Sequence, residues 1–203
     1  MTVCAQLQDL SRRLVARGER GRAVMIMPVR AGAGASWVSA RLAANASRES
    51  GRPVWLYDLD FAANTQAGRT RLNGAAYDAD FGTEPFWRAD PEGSARLILR
   101  KVETAPVLVS VFERRPETLR RVVFTSAPAY WDRVRAACAL ALVDVPAGSP
   151  AATAIAGDLD GVILVGDAER TRRDEAEELA DRIESAGGRV LGIVVNRAPG
   201  TDG

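Results

Sequence analysis

Seven consecutive residues, from Arg30 to Ser36, hold the clearest chemical signal in this sequence: Arg-Ala-Gly-Ala-Gly-Ala-Ser between an apolar run and an amphipathic one. Glycines at 32 and 34 let backbone N–H groups turn toward an anion, and the start of a helix adds its positive dipole end. Small residues at a strand-to-helix turn also serve plain tight packing, so the loop needs support from elsewhere. A dinucleotide-type Gly-x-Gly-x-x-Gly loop would want glycine or alanine at position 37; Trp37 stands there and disfavours it. Support comes from three carboxylates. Asp58 and Asp60 end the next apolar run, and Asp144 ends a later one, two residues before Pro146. Strand C-termini of a parallel sheet converge on the ligand crevice. Ser36, Asp58, Asp60 and Asp144 could there hold Mg²⁺ among nucleotide phosphates. Each aspartate alone reads equally as a cap or turn residue; with the loop, they point to a nucleotide-type site.

The elements that must position these residues follow from periodicity. Leu7, Leu10 and Leu14 make residues 4–18 an amphipathic helix, ended by Gly18 and Gly21. Residues 23–27 form a buried strand bounded by Pro28. Ser36 opens a helix with Val38, Leu42 and Ala46 as its apolar stripe, and residues 54–57 form the next strand. Strand, tight loop, helix, strand is a βαβ unit with parallel strands and a right-handed crossover. Residues 140–143, 161–165 and 190–195 read as further strands. A helix spans 171–186, with Thr171 as cap, Asp174 in the first turn and Gly187 as stop. Between 61 and 126 the pattern weakens. Residues 107–112 and 122–125 read as strands and 127–137 as a helix capped by Ser126, whereas 74–92 read as irregular surface. The expectation is an α/β fold in three layers, with a mostly parallel sheet flanked by helices. It is a single domain over 1–203, with an N-terminal helix within 1–20 and a flexible tail at 198–203.

Composition bounds the chemistry. With 203 residues and a net charge of +1, the chain can bury a sizeable core and carries no global field that selects nucleic acid. It has no histidine, which excludes histidine acid–base catalysis and histidine metal ligands. Lys101 is the only lysine. Cys4 and Cys138 make no disulfide framework, and Cys138 lies in an apolar run as a small core residue. No stretch approaches the ~18 apolar residues of a membrane span, and Gln6, Gln8, Asp9, Arg12 and Arg13 interrupt any signal-like start. A cytoplasmic location is expected, without direct membrane insertion.

These segments resemble the deviant-P-loop superfamily of partition and division-site ATPases. Within it, they resemble the cytoplasmic domains of bacterial tyrosine kinases of capsule and exopolysaccharide synthesis. The likeness covers roughly residues 5–197 and is carried by the loop at 28–37, the strand ending at Asp58 and Asp60, and the run 142–146. It is most specific over 160–165, 170–174 and 190–196. The resemblance implies a P-loop NTPase fold. It matches Asp144 to the Walker B aspartate, Asp58 and Asp60 to the second acidic motif, and Asn196 to the asparagine near the adenine. Cofactor contacts would then come from Arg30, Gly32, Gly34, Ser36 and Asn196.

The departures are as informative. Where the family carries the phosphate-binding lysine, this chain has Ala35, whose methyl group cannot reach the β- and γ-phosphates. Arg30 stands where partition-type members have their signature lysine. Tyr57, Tyr77 and Tyr130 lie inside the chain, so the kinases' tyrosine-rich tail is not matched, and their ring-assembly motif is degenerate around Asp9, Arg12 and Arg13. The resemblance then implies a catalytically inactive component of a polysaccharide synthesis or export system. It would bind an integral inner-membrane partner and be recruited to the inner face of that membrane. A homo-oligomer is compatible with this, nucleic acid is not expected, and ATP or ADP with Mg²⁺ would bind weakly or not at all. The alternatives are an active ATPase or tyrosine kinase using Arg30 in place of lysine, with Asp58, Asp60 and Asp144 catalytic, or a partition or positioning ATPase.

Overall fold

The computed structural model describes residues 3–15, 18–115 and 117–197. The proposed tail at 198–203 lies outside the described residues. Chain order begins with helix α1 (Val3–Leu14), strand β1 (Arg22–Pro28), helix α2 (Ala35–Glu49), strand β2 (Val54–Asp58) and the short helix α3 (Thr65–Gly68). Strands β3 (Leu72–Asp78), β4 (Trp87–Asp90), β5 (Ala95–Val102), β6 (Val107–Arg114) and β7 (Arg121–Phe124) follow. Helix α4 (Pro128–Ala137), strand β8 (Leu140–Asp144), the short helix α5 (Ala151–Ala154), strand β9 (Gly161–Asp167), helix α6 (Arg173–Ser185) and strand β10 (Val190–Asn196) complete the order.

The main sheet has eight strands in the order β10-β9-β1-β8-β2-β6-β5-β3. The first six pair in parallel, and β5 and β3 close one side antiparallel. The expected three-layer α/β fold is what forms. Alternation along the central strands builds a core on each face. Val24, Ile26, Leu140 and Leu142 face α1 and α2, where Leu7, Leu14, Val38 and Leu42 meet them. Met25, Met27, Ala141 and Val143 face the opposite layer, against Tyr130, Trp131, Leu179 and Ile183. Both faces of β1, β2, β8 and β9 are covered, so these strands read as unbroken apolar runs. No helix among the described residues is long and apolar enough to cross a membrane.

Several local expectations change. Helix α1 ends at Leu14 rather than at 18. Its arginines pair within the chain, Arg13 with Asp9 at 2.7 Å and Arg12 with Glu49 at 3.0 Å. The segment 74–92 is not irregular, since it holds most of β3 and all of β4. β3 is an outer strand exposed along nearly its whole length, so it shows no apolar alternation, and its register with β5 shifts between Asn73 and Ala76. β4 pairs with β7 in a separate two-stranded ribbon. Phe86, just before it, is buried in an aromatic cluster with Tyr57, Tyr130 and Trp131. Strand β5 forms where the sequence pattern predicts no element. Ser126 does not cap α4. Its hydroxyl donates to the Asp158 carboxylate at 2.8 Å, and the same carboxylate accepts the Ala127 N–H at 2.6 Å. Thr171 does not cap α6 either, because its Oγ1 accepts the Asp167 N–H at 2.8 Å. The helix starts two residues later, with Glu175 accepting the Arg172 N–H at 3.2 Å.

Candidate functional site

The loop between β1 and α2 turns through two left-handed residues, Gly32 at φ 83° and Gly34 at φ 91°. Few side chains tolerate that region, which explains glycine at both positions. Ala33 N–H donates to Arg30 O at 3.2 Å, and Val38 N–H to Gly34 O at 3.0 Å. Between these bonds, the N–H groups of Gly34, Ala35, Ser36 and Trp37 have no acceptor among the described residues. They are the orphan donors of the α2 N-terminus, a concavity of N–H groups that could accept an anion.

This concavity floors a cleft of about 640 Å³, within the range of small-molecule sites. Of the residues expected at the site, Gly32, Gly34, Ser36, Asp144 and Asn196 line it, together with Ala35 and Trp37. Asn196 reaches the loop itself: its Nδ2 donates to Ala33 O at 3.0 Å, and a Cβ on Gly34 would run into that amide. Trp37 is half exposed beside the opening, with the Arg41 guanidinium 5.6 Å from its ring centre. Arg30, Asp58 and Asp60 do not line the cleft. Arg30 leans outward, donating to Arg170 O at 3.2 Å and pairing with Glu175 at 3.4 Å.

Asp58 and Asp144 sit at matched positions on adjacent parallel strands, and both are buried. What joins them is Gln66, on α3. Its N–H donates to Asp58 Oδ2 at 2.7 Å, and its Nε2 donates to Asp144 Oδ2 at 2.6 Å and to Ser36 O at 2.8 Å. The other Asp58 oxygen accepts the Asp60 N–H at 3.0 Å, and Ser110 Oγ accepts the Asp58 N–H at 2.8 Å. Asp60 turns to α3 as well, accepting from Thr65 Oγ1 and Ala63 N–H. Burial pushes the Asp58 carboxyl up to about 6, against the two backbone N–H groups that favour its charge. Burial also raises Asp144, with the Gln66 amide the strongest opposing influence, followed by the Ser36 and Ser39 hydroxyls.

For a magnesium ion, only Ser36 and Asp144 open on the cleft as a hydroxyl and a carboxylate. The carboxylates of Asp58 and Asp60 are engaged on α3. Among the described residues, no three acidic or sulfur groups gather as a metal cluster.

Three residues of this region carry no signal in the sequence. Gln66 and Arg69 belong to a four-residue helix and its C-cap, too short for periodicity to reveal. Arg197, after β10, lines the cleft while its guanidinium pairs with Asp167 at 2.7 Å.

No protein-family model and no curated protein matches the chain. Solved structures do match. The VpsO kinase domain superposes with a TM-score of 0.64 at 19% identity, over 96% of this chain and 94% of that one. The BceF tyrosine kinase domain gives 0.62 at 19%, over 95% and 76%. The kinase domain of the Escherichia coli tyrosine kinase ETK gives 0.57 at 15%, over 93% and 73%. The chain therefore has the α/β fold of P-loop NTPases, in the arrangement seen in those bacterial tyrosine-kinase domains. At these identities the likeness speaks for the fold.

Proposed function

We propose that this chain is a catalytically inactive relative of the exopolysaccharide kinases that keeps a phosphate-binding cleft. It acts in the cytoplasm by docking on an integral inner-membrane protein of a polysaccharide synthesis or export complex. One observation carries the inactive part of the reading: Ala35 stands at the end of a well-formed anion concavity, where phosphoryl transfer needs a cation. The loop N–H groups, Gly32, Gly34 and Ser36 would hold the phosphates of ATP or ADP, with Asn196 bracing the loop. Mg²⁺, where it binds at all, would be held by Ser36 and Asp144, with Asp58 and Asp60 positioning α3, and it would neutralise phosphate charge. The polysaccharide assignment is supported by the sequence resemblance over 160–196 and by the shared fold. A pulldown from native membranes tests the partner: envelope polysaccharide proteins are expected, and recovery of chromosome-partition components would overturn it.

A second reading has its own support. The superposing structures are kinase domains, which favours a working ATPase or tyrosine kinase with an arginine in the role of the lysine. Arg30 was the sequence candidate, but its pairing with Glu175 turns it away from the cleft. Magnesium-dependent turnover separates this reading from the first.

A further inference from the structure

Arg69 is the C-cap residue of α3, and its side chain lines the same cleft as the loop. It is exposed, and it makes no hydrogen bond or ion pair through its guanidinium among the described residues. The other arginines near the loop are committed or lie elsewhere. Arg197 is paired with Asp167 and Arg30 with Glu175. Arg170 passes Gly32 on the outside, without lining the cleft. The position of Arg69 is set by the buried Gln66 network three residues earlier, which ties α3 to β2, to β8 and to the first turn of α2 at once. That network also occupies one oxygen of the Asp144 carboxylate, Oδ2, with an amide.

We infer that Arg69 is the phosphate-contacting cation of this cleft. It is delivered from α3 rather than from the loop, and it lets the cleft hold a nucleoside polyphosphate without a divalent ion. The inference rests on the phosphate-binding reading above and deepens it. A guanidinium meets two phosphate oxygens at once, giving charge-assisted bonds stronger than neutral ones. The Gln66 amide donates to one oxygen of Asp144 without cancelling its charge, so the Arg69 guanidinium would supply the positive charge that incoming phosphates meet beside that carboxylate.

The test is isothermal titration of the full chain with ATP in excess EDTA, repeated with Mg²⁺. The wild-type chain binds in EDTA, and Arg69→Ala weakens binding roughly tenfold to a hundredfold, the worth of one charge-assisted contact. Arg121→Ala removes the same charge from the β4–β7 ribbon, away from the cleft, and stays within about twofold of wild type, a difference well below one such contact. Arg69→Gln keeps the stem and loses the charge, so it reads the same loss if the alanine variant melts early. Binding that requires Mg²⁺, or an affinity unchanged in both Arg69 variants, overturns the inference while the phosphate-binding reading stands. No binding under either condition overturns both.

Discussion

Replacing Gln66 with leucine isolates the contact that holds the site together. The side chain is 3% exposed, and its amide makes two bonds, one to the Asp144 carboxylate and one to the Ser36 carbonyl. Leucine fills a similar volume but removes the Gln66 donor from both acceptors. A bond to a charged group contributes roughly 1.5–3 kcal/mol and a neutral one about 1, so the variant should lose about 2.5–4 kcal/mol. For a domain of this size that lowers Tm by about 5–16 °C. Urea unfolding reads the loss directly. The loss also has a direction with pH. The amide favours the charged form of Asp144, so removing it raises that carboxyl further, and protonation offsets part of the loss. The gap between variant and wild type should therefore narrow as pH falls toward the raised pKa of Asp144. A loss below about 0.5 kcal/mol, the bottom of the range for a single bond, or one unchanged from neutral to acidic pH, would refute the view that Gln66 anchors α3 through Asp144.

Other outcomes follow from the same geometry. Asp58, raised from 3.8 to about 6, holds its proton more tightly in the folded chain than in the unfolded one. Its contribution to stability is full below 3.8 and lost as pH rises through about 6; at ~1.4 kcal/mol per pH unit that is roughly 3 kcal/mol, and the difference between Asp58→Asn and wild type in a stability–pH series should show it. Gly34→Ala places a side chain at φ 91° and against Asn196; it should cost about 1–3 kcal/mol in thermal melts, and Asn196→Gly in the same background should recover only the steric part. Ala35→Lys should tighten Mg-ATP binding roughly tenfold to a hundredfold by titration with a non-hydrolysable analogue; no heat from a folded variant would mean the cleft does not take nucleotide.

Seven strands were legible in the sequence: β6, β7 and β10 by their runs of apolar residues, although β10 is largely exposed, and four more by uniform burial. β1, β2, β8 and β9 are covered on both faces, so their apolar runs announce them, and the loop between β1 and α2 lies where its glycines put it. β3 is an exposed outer strand, so no alternation marks it. The apolar centre of β5, Leu97 to Leu99, is flanked by Arg96 and Arg100 and went unread. The caps of α4 and α6 were misassigned for a different reason. Asp158 reaches Ala127 from 31 residues downstream, and Thr171 is used by Asp167, so local spacing named the wrong partner. Of the candidate site residues, Gly32, Gly34, Ser36 and Asp144 were legible by type and position and Asn196 by the resemblance, and all five line the cleft. Asp58 and Asp60 were legible too, but the structure turns them onto α3 instead of into the cleft. Gln66 and Arg69 act through tertiary contacts of one short helix, which no periodicity reports.

A P-loop cleft with Ala35 in place of lysine is expected not to turn over ATP. Phosphate release from Mg-ATP by the purified chain, measured beside its Asp144→Ala variant, tests it most directly. Both proteins are expected to match the protein-free background. Magnesium-dependent release above background in the wild-type chain, abolished by Asp144→Ala, would contradict it and establish a working enzyme.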